Sequence, residues 1–116
     1  MGGNNALIVN EDANIEMVVR SVVFAAVGTT GQRCTTLRRL ILHEKVYDEV
    51  VERLKKGYAN ILGRLGDPLD EGTLYGPMHS KAGIDGYLET LKEAVDLGGK
   101  VCEFIPIFGI FIFLLD

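Results

Sequence analysis

The chain has 116 residues, a formal net charge of −4 and hydrophobic residues at 47% of its positions. That length is enough for one small domain with its own core, but not for a large two-domain enzyme. The acidic balance, with no block of lysines or arginines, argues against a nucleic-acid partner. The two cysteines do not form a disulfide framework. We therefore expect a reducing compartment, with a cytoplasmic or mitochondrial location.

The first half of the chain predicts a strand, a helix and a second strand. A short apolar run at residues 6–9 follows a glycine–asparagine turn and is typical of a buried strand. Turn and capping residues then precede a helix from about Ile15 to Val27. Because this helix is apolar on most of its circumference, we expect it to be buried on several sides. A second strand is predicted at Leu40-Ile41-Leu42.

The second half predicts two helices separated by a loop. An amphipathic helix is predicted from Glu44 to Leu62, and residues 63–77 are rich in glycine and proline, as in a loop. A third helix is predicted from Lys81 to Leu97, with a stop at Gly98-Gly99. The strand–helix–strand–helix order favours an α/β fold with parallel strands and right-handed crossovers.

Residues 102–116 differ in composition from the rest of the chain. They are almost uncharged and consist largely of phenylalanine, isoleucine and leucine. This tail is too short to span a bilayer, which needs about 20 residues. Its high β-propensity without gatekeeping charges is typical of an aggregation-prone edge. We interpret it as the product of a frameshift, a read-through or aberrant splicing. The less favoured alternative is an anchor for a membrane or a partner.

The run Gly31-Gln32-Arg33-Cys34-Thr35-Thr36 lies between the predicted first helix and second strand. Gly28 and Gly31 allow a tight turn that presents the thiol and free backbone N–H groups to one small volume. The neighbouring Arg33 would favour the thiolate, which is the nucleophilic form of cysteine. From the residues alone, two interpretations remain open: a reactive cysteine, or a cysteine buried as a small hydrophobic residue.

Two motifs together resemble the aldehyde dehydrogenase superfamily. Met1-Gly2-Gly3-Asn4-Asn5-Ala6 and the later run from Gly28 to Thr36 resemble its glutamate-leucine-glycine-glycine and glycine-glutamine-x-cysteine motifs at the family's spacing. The doubled asparagine, the Gly-Gln-Arg-Cys-Thr-Thr run and Leu74-Tyr75-Gly76-Pro77 resemble the antiquitin-type branch, the alpha-aminoadipic semialdehyde dehydrogenases. The resemblance covers residues 1–101 and implies part of a three-layer α/β catalytic domain with a mostly parallel sheet. Residues 102–116 are not family-like.

The resemblance implies a role for each residue of the candidate site. Cys34 would attack an aldehyde to give a thiohemiacetal, hydride would pass to NAD (NADP is possible), and water would release the acid. The Cys34 backbone N–H would contribute to an oxyanion hole. Arg33 and Thr35 would line the substrate tunnel, although a solvated Arg33 and a Thr35 that bonds a neighbouring carbonyl are alternatives. Met1 and Gly2 would lie near the nicotinamide.

The resemblance also implies what surrounds the site in a complete enzyme. The substrate would be a small-molecule aldehyde, an amino-acid-derived semialdehyde of lysine breakdown, and the enzyme would be a homotetramer. The general-base glutamate would lie one position before Met1, and the dinucleotide-binding half would lie upstream. We therefore expect this chain to be a fragment that binds no cofactor alone. The alternative is a catalytically inactive truncated isoform or pseudogene product that acts, if at all, by binding.

Overall fold

The structure, a computed structural model, describes residues 2–101. Met1 and the tail at 102–116 lie outside the described residues. The described part contains two strands and three α-helices: β1 (Asn5–Val9), α1 (Ile15–Val27), β2 (Leu37–Leu42), α2 (Glu44–Ala59) and α3 (Lys81–Asp96). Two short 3₁₀ turns lie at Gly28–Gly31 and Leu62–Arg64. The predicted α/β order is confirmed, and α1 has the predicted bounds.

The strands form a parallel pair, as predicted. In their register Leu7 lies opposite Leu40, and Val9 lies opposite Leu42. The helix α1 is the crossover that joins them, and it begins at the cap of Asn14, whose side chain accepts a hydrogen bond from the backbone N–H of Met17. Because both strands run in the same direction, the segments that precede them meet at one edge of the sheet.

The core lies between the inner face of the strand pair and the helices α1 and α2. Its members are buried aliphatic side chains together with two tyrosines: Val9, Val22, Ala26, Val27, Leu37, Leu40, Val46, Val50, Leu54, Tyr58, Ile61 and Tyr75. Val22 of α1 and Val50 of α2 are fully buried. At about 25 cal/mol per Å² of apolar area, this cluster is the main stabilising contribution within the described residues.

The expectation that α1 is buried on several sides is wrong for two of its large side chains. Met17 and Phe24 are 66% and 70% exposed, because within residues 2–101 the helix packs chiefly against α2 and one face of the strands. The outer face of the strand pair is also apolar and uncovered, since Ile8, paired with Ile41, is 76% exposed. Within residues 2–101 the chain therefore leaves several apolar surfaces open.

Among residues 2–101, no helix is both long and apolar enough to cross a membrane. In the same range, no group of three or more histidine, cysteine, aspartate or glutamate side chains is arranged to hold a metal ion.

Candidate active site

Cys34 lies at the corner of a β-turn that leads into β2. The Thr36 N–H donates to the carbonyl oxygen of Arg33 at 3.1 Å, which places Cys34 and Thr35 at the two central positions of the turn. The Thr36 hydroxyl accepts from the Arg33 N–H at 3.1 Å, and Thr36 itself is buried. The turn is therefore anchored at Thr36 and exposes Cys34 and Thr35. The interpretation of Cys34 as a buried hydrophobic residue is wrong, because its side chain is exposed.

The corner of the turn carries polar groups without partners. Within residues 2–101, the backbone N–H of Cys34 has no hydrogen-bond acceptor, and the Thr35 hydroxyl makes no hydrogen bond. The alternative that Thr35 bonds a neighbouring carbonyl is therefore not realised in this part of the chain. The turn presents a thiol, a hydroxyl and a backbone donor together on an exposed surface.

The glycine–asparagine motif and the cysteine motif meet at the edge of the sheet. The Asn5 side-chain amide donates to the carbonyl oxygen of Cys34 at 2.7 Å and to that of Thr36 at 3.1 Å. Gly3 lies so close to the Cys34 carbonyl oxygen that a Cβ at this position would overlap it. A residue with no side chain is thus required at Gly3, and the two motifs form one structural unit.

A left-handed segment sets the path of the chain between α1 and the cysteine turn. Thr29, Thr30 and Gly31 have φ values of 52°, 56° and 70°. This region is unfavourable for the two β-branched threonines. Three hydrogen bonds hold the segment. The Thr30 hydroxyl donates to the Gly76 carbonyl at 2.7 Å, and the backbone and side-chain N–H groups of Gln32 donate to the Thr29 carbonyl at 3.1 Å and 3.2 Å. Such strain is common beside functional sites.

Gln32 joins the cysteine turn to the loop that precedes α3. Its side-chain N–H₂ donates to the carbonyl oxygens of Thr29 at 3.2 Å and Pro77 at 3.4 Å. Its side-chain oxygen accepts from the backbone N–H of His79 at 2.9 Å. The loop around Gly76 is therefore held against the turn by both Gln32 and Thr30.

The Arg33 side chain is engaged with the end of α1. Its guanidinium lies 5.3 Å from the centroid of the Phe24 ring and donates to the Phe24 carbonyl oxygen at 3.5 Å. It also fills the space beside Gly28, the C-cap of α1. The last turn of α1 has no basic residue of its own, so Arg33 places a cation near the negative end of the helix dipole. Among the described residues, Arg33 makes no hydrogen bond to the Cys34 sulfur.

Comparisons with known proteins identify the family. The aldehyde dehydrogenase family profile matches residues 1–103. The chain belongs to the aldehyde dehydrogenase family. It is 59% identical to an aldehyde dehydrogenase family 7 member A1 homologue of Caenorhabditis elegans, over 87% of this chain and 19% of the relative. It is 56% identical to the alpha-aminoadipic semialdehyde dehydrogenase of Bos taurus, over 87% of this chain and 18% of the relative.

Solved structures have the same fold over this region. PnpE from Pseudomonas sp. WBC-3 superimposes with a TM-score of 0.81 at 41% identity, over 86% of this chain and 20% of that chain. Gox0499 superimposes with a TM-score of 0.82 at 33% identity, over 95% of this chain and 25% of that chain. The chain spans about a fifth of the length of the curated relatives that it matches. The predicted catalytic-domain fold is confirmed.

Within this aldehyde dehydrogenase chain, the structure brings some of the predicted site residues together. Cys34 and Thr35 share the exposed corner of the turn, and Arg33 points to α1. Gly2 is exposed, and within residues 2–101 no atom beyond its chain neighbours lies within 4 Å of the position of an added Cβ. Met1 lies outside the described residues.

Sequence reasoning missed Asn5 and Gln32 as supports of the cysteine turn. Each was noted only as a letter of a family motif. The available signal was their residue type, since asparagine and glutamine side chains can bond two backbone groups at once. Apart from Thr29, which lies three residues from Gln32, their partners lie 29 to 47 residues away in the sequence.

Proposed function

We propose that this chain forms part of the catalytic domain of an NAD(P)-dependent aldehyde dehydrogenase in which Cys34 is the nucleophile. One observation carries the proposal: the exposed thiol and the unpartnered backbone N–H of the same residue lie together at the corner of an anchored turn. A nucleophile and a donor for the developing oxyanion are the two groups that thiol attack on a carbonyl requires. The family membership supports this assignment.

Three steps on Cys34 would convert the aldehyde to the acid. Its thiolate sulfur forms a bond to the aldehyde carbon while the carbonyl π electrons move to oxygen, and the resulting oxyanion accepts a hydrogen bond from the Cys34 N–H. Loss of hydride from that carbon leaves a thioester on Cys34. Water then breaks the carbon–sulfur bond, which releases the carboxylic acid and restores the thiol.

We propose that the dinucleotide lies against the residues at the start of the chain. When bound, NAD or NADP supplies the acceptor for the hydride. Gly2 would lie beside its nicotinamide ring, and Met1 would adjoin it. The open space around Gly2 supports this assignment, because a side chain there would compete with a flat ring. PnpE, a structural relative, has been solved in complex with nicotinamide adenine dinucleotide.

For the substrate, we propose a small amino-acid-derived semialdehyde bound in part by Arg33 and Thr35. The names of the Bos taurus and Rattus norvegicus relatives, alpha-aminoadipic semialdehyde dehydrogenase, support this class. A planar guanidinium suits the carboxylate of such a substrate because it bonds both oxygens. Reaching it would require Arg33 to leave the Phe24 ring and the space beside Gly28 as well as the weak 3.5 Å bond to the Phe24 carbonyl.

A second candidate is an inactive product that acts only by binding. The observation in its favour is that the chain spans about a fifth of its curated relatives and leaves large apolar side chains exposed. Exposed apolar patches promote association with other proteins.

The experiment compares wild type with Cys34→Ser in the protein translated from the complete transcript. The transcript is sequenced across both ends of this reading frame, and reduction of NAD or NADP is followed with an amino-acid semialdehyde. We expect wild type to oxidise the aldehyde and Cys34→Ser to lose at least about 10³-fold in rate. Equal rates in the two proteins would refute the role of Cys34. A transcript that encodes only these 116 residues, with no detectable oxidation, would favour the second candidate.

A further inference from the structure

We infer that Asn5 is a positioning residue that fixes the cysteine turn in the geometry for nucleophilic attack. The inference rests on the proposed role of Cys34. One Asn5 side-chain amide donates both of its protons, at 2.7 Å to the Cys34 carbonyl oxygen and at 3.1 Å to the Thr36 carbonyl oxygen. The Cys34 carbonyl lies between the two corner residues of the turn, and the Thr36 carbonyl lies just after the turn.

The contact fixes the second of the two peptide planes that flank Cys34. The first plane, between Arg33 and Cys34, is held because the Arg33 carbonyl accepts from the Thr36 N–H at 3.1 Å. The second, between Cys34 and Thr35, is held by Asn5 alone among residues 2–101. With both planes fixed, the directions of the Cys34 N–H and of its Cα–Cβ bond are fixed together. Asn5 thus acts on the direction of the Cα–Cβ bond that carries the thiol, while the turn bond between Thr36 and Arg33 holds the oxyanion donor.

Two further observations support a specific contact between the glycine–asparagine motif and the cysteine motif. The register of the parallel strands is irregular at Asn5, since Asn5 pairs with Leu37 and Ala6 pairs with Arg39. Gly3 closes on the same Cys34 carbonyl oxygen, where no side chain fits. The start of β1 therefore departs from regular strand pairing at Asn5, the residue that reaches the cysteine turn.

The neighbouring Asn4 supplies a matched control of the same residue type. Its backbone carbonyl accepts from the Arg39 guanidinium at 2.6 Å and 3.1 Å. Its side chain makes no hydrogen bond within residues 2–101, and an alanine would keep the backbone contact. Asn4→Ala therefore removes a side chain at the same edge of the sheet and keeps the hydrogen bonds of the cysteine turn.

The experiment measures the alkylation of Cys34 by iodoacetamide in the protein translated from the complete transcript. Asn5→Ala, Asn5→Asp, Asn5→Ser and Asn4→Ala are compared with wild type, natively and in urea, by mass spectrometry of the Cys34 peptide. Asn5→Asp keeps the shape but replaces both donors by acceptors, whereas Asn5→Ser keeps one donor. We expect the native alkylation rate of Cys34 in Asn5→Ala and Asn5→Asp to differ from that of native wild type by about 10-fold, in the direction of the rate measured in urea. The change should be smaller for Asn5→Ser. Asn4→Ala should stay within about twofold of wild type.

A second readout separates positioning from general stability. In protein that oxidises aldehyde, Asn5→Asp should lower kcat about 10-fold or more and leave the KM for the dinucleotide unchanged. Native alkylation within about twofold of wild type for both Asn5→Ala and Asn5→Asp would overturn the inference. Loss of folding in all three Asn5 variants while Asn4→Ala folds would also overturn it, because Asn5 would then support the whole fold.

The proposed function fails separately. It fails if Cys34→Ser oxidises aldehyde as wild type does, whatever the Asn5 variants show. The inference about Asn5 fails alone if Cys34→Ser is inactive and the Asn5 variants behave as wild type.

Discussion

At the scale of single residues, the cysteine turn depends on a glycine that cannot carry a side chain. A Cβ at Gly3 would overlap a backbone carbonyl, that of Cys34, which cannot swing away as the end of a long side chain could. We expect Gly3→Ala to lower the free energy of unfolding by about 1–3 kcal/mol. Gly2→Ala meets open space and should change it by less than about 0.5 kcal/mol. Denaturant unfolding of both variants tests the contrast, and equal stabilities would contradict it.

A second prediction at this scale concerns the buried hydroxyl of Tyr58. That hydroxyl has no hydrogen-bond partner in the described part of the chain, although the residue is only 5% exposed. An unpaired buried polar group is unfavourable, so Tyr58→Phe should preserve stability or raise it by about 1 kcal/mol. A loss of more than about 1 kcal/mol in denaturant unfolding would show that the hydroxyl has a partner.

The same tyrosine gives a pH dependence. Burial, reinforced by the neighbouring Tyr75, raises the pKa of Tyr58 well above its usual range. Below about pH 10 the hydroxyl is protonated in both states and stability is unaffected. Above it the unfolded chain ionises first, so stability should fall by up to about 1.4 kcal/mol per pH unit. Thermal melts above pH 10 should show a smaller loss for Tyr58→Phe than for wild type or for the half-buried control Tyr87→Phe.

At the scale of elements, the left-handed segment after α1 contains two strained threonines, and a side-chain hydrogen bond compensates the strain at one of them. Thr29 and Thr30 have similar φ values, but only the Thr30 hydroxyl makes a hydrogen bond in the described part of the chain, to Gly76. Glycine relieves about 1–2 kcal/mol of strain at either position and loses about 0.5–1 kcal/mol in chain entropy. We expect Thr29→Gly to match or exceed wild-type stability and Thr30→Gly to be about 1 kcal/mol less stable than Thr29→Gly. Denaturant unfolding measures both, and the reverse order would refute the argument.

The elements themselves follow from local chemistry, while the contacts of the site do not. The bounds of α1 could be predicted from its apolar run and from the turn and capping residues at 10–12, although the residue that caps its start is Asn14. The start of β2 at Leu37 was missed because Arg38 and Arg39 are exposed and interrupt the apolar pattern. The bridge from Asn5 to the cysteine turn could not be read from spacing, since it depends on which strands pair and in which register.

At the scale of the whole molecule, several apolar surfaces stay uncovered within residues 2–101. Parallel sheets are normally covered on both faces, yet here Ile8 and Ile41 form an open apolar face. The helix α3 adds exposed Ile84, Leu88 and Val95. In PnpE, a structural relative, the region that matches this chain makes up 20% of the length. The rest of the PnpE chain is available to cover the corresponding faces in that protein.

The most direct test of the central claim is the chemical fate of Cys34 during turnover. The protein translated from the complete transcript is mixed with an amino-acid semialdehyde and NAD, quenched in acid and digested. The mass of the peptide that contains Cys34 is then measured by mass spectrometry. We expect an acyl group on Cys34 as a thioester, which appears only when both substrates are present. Aldehyde oxidation with an unmodified Cys34, or with the acyl group on another residue, would contradict it.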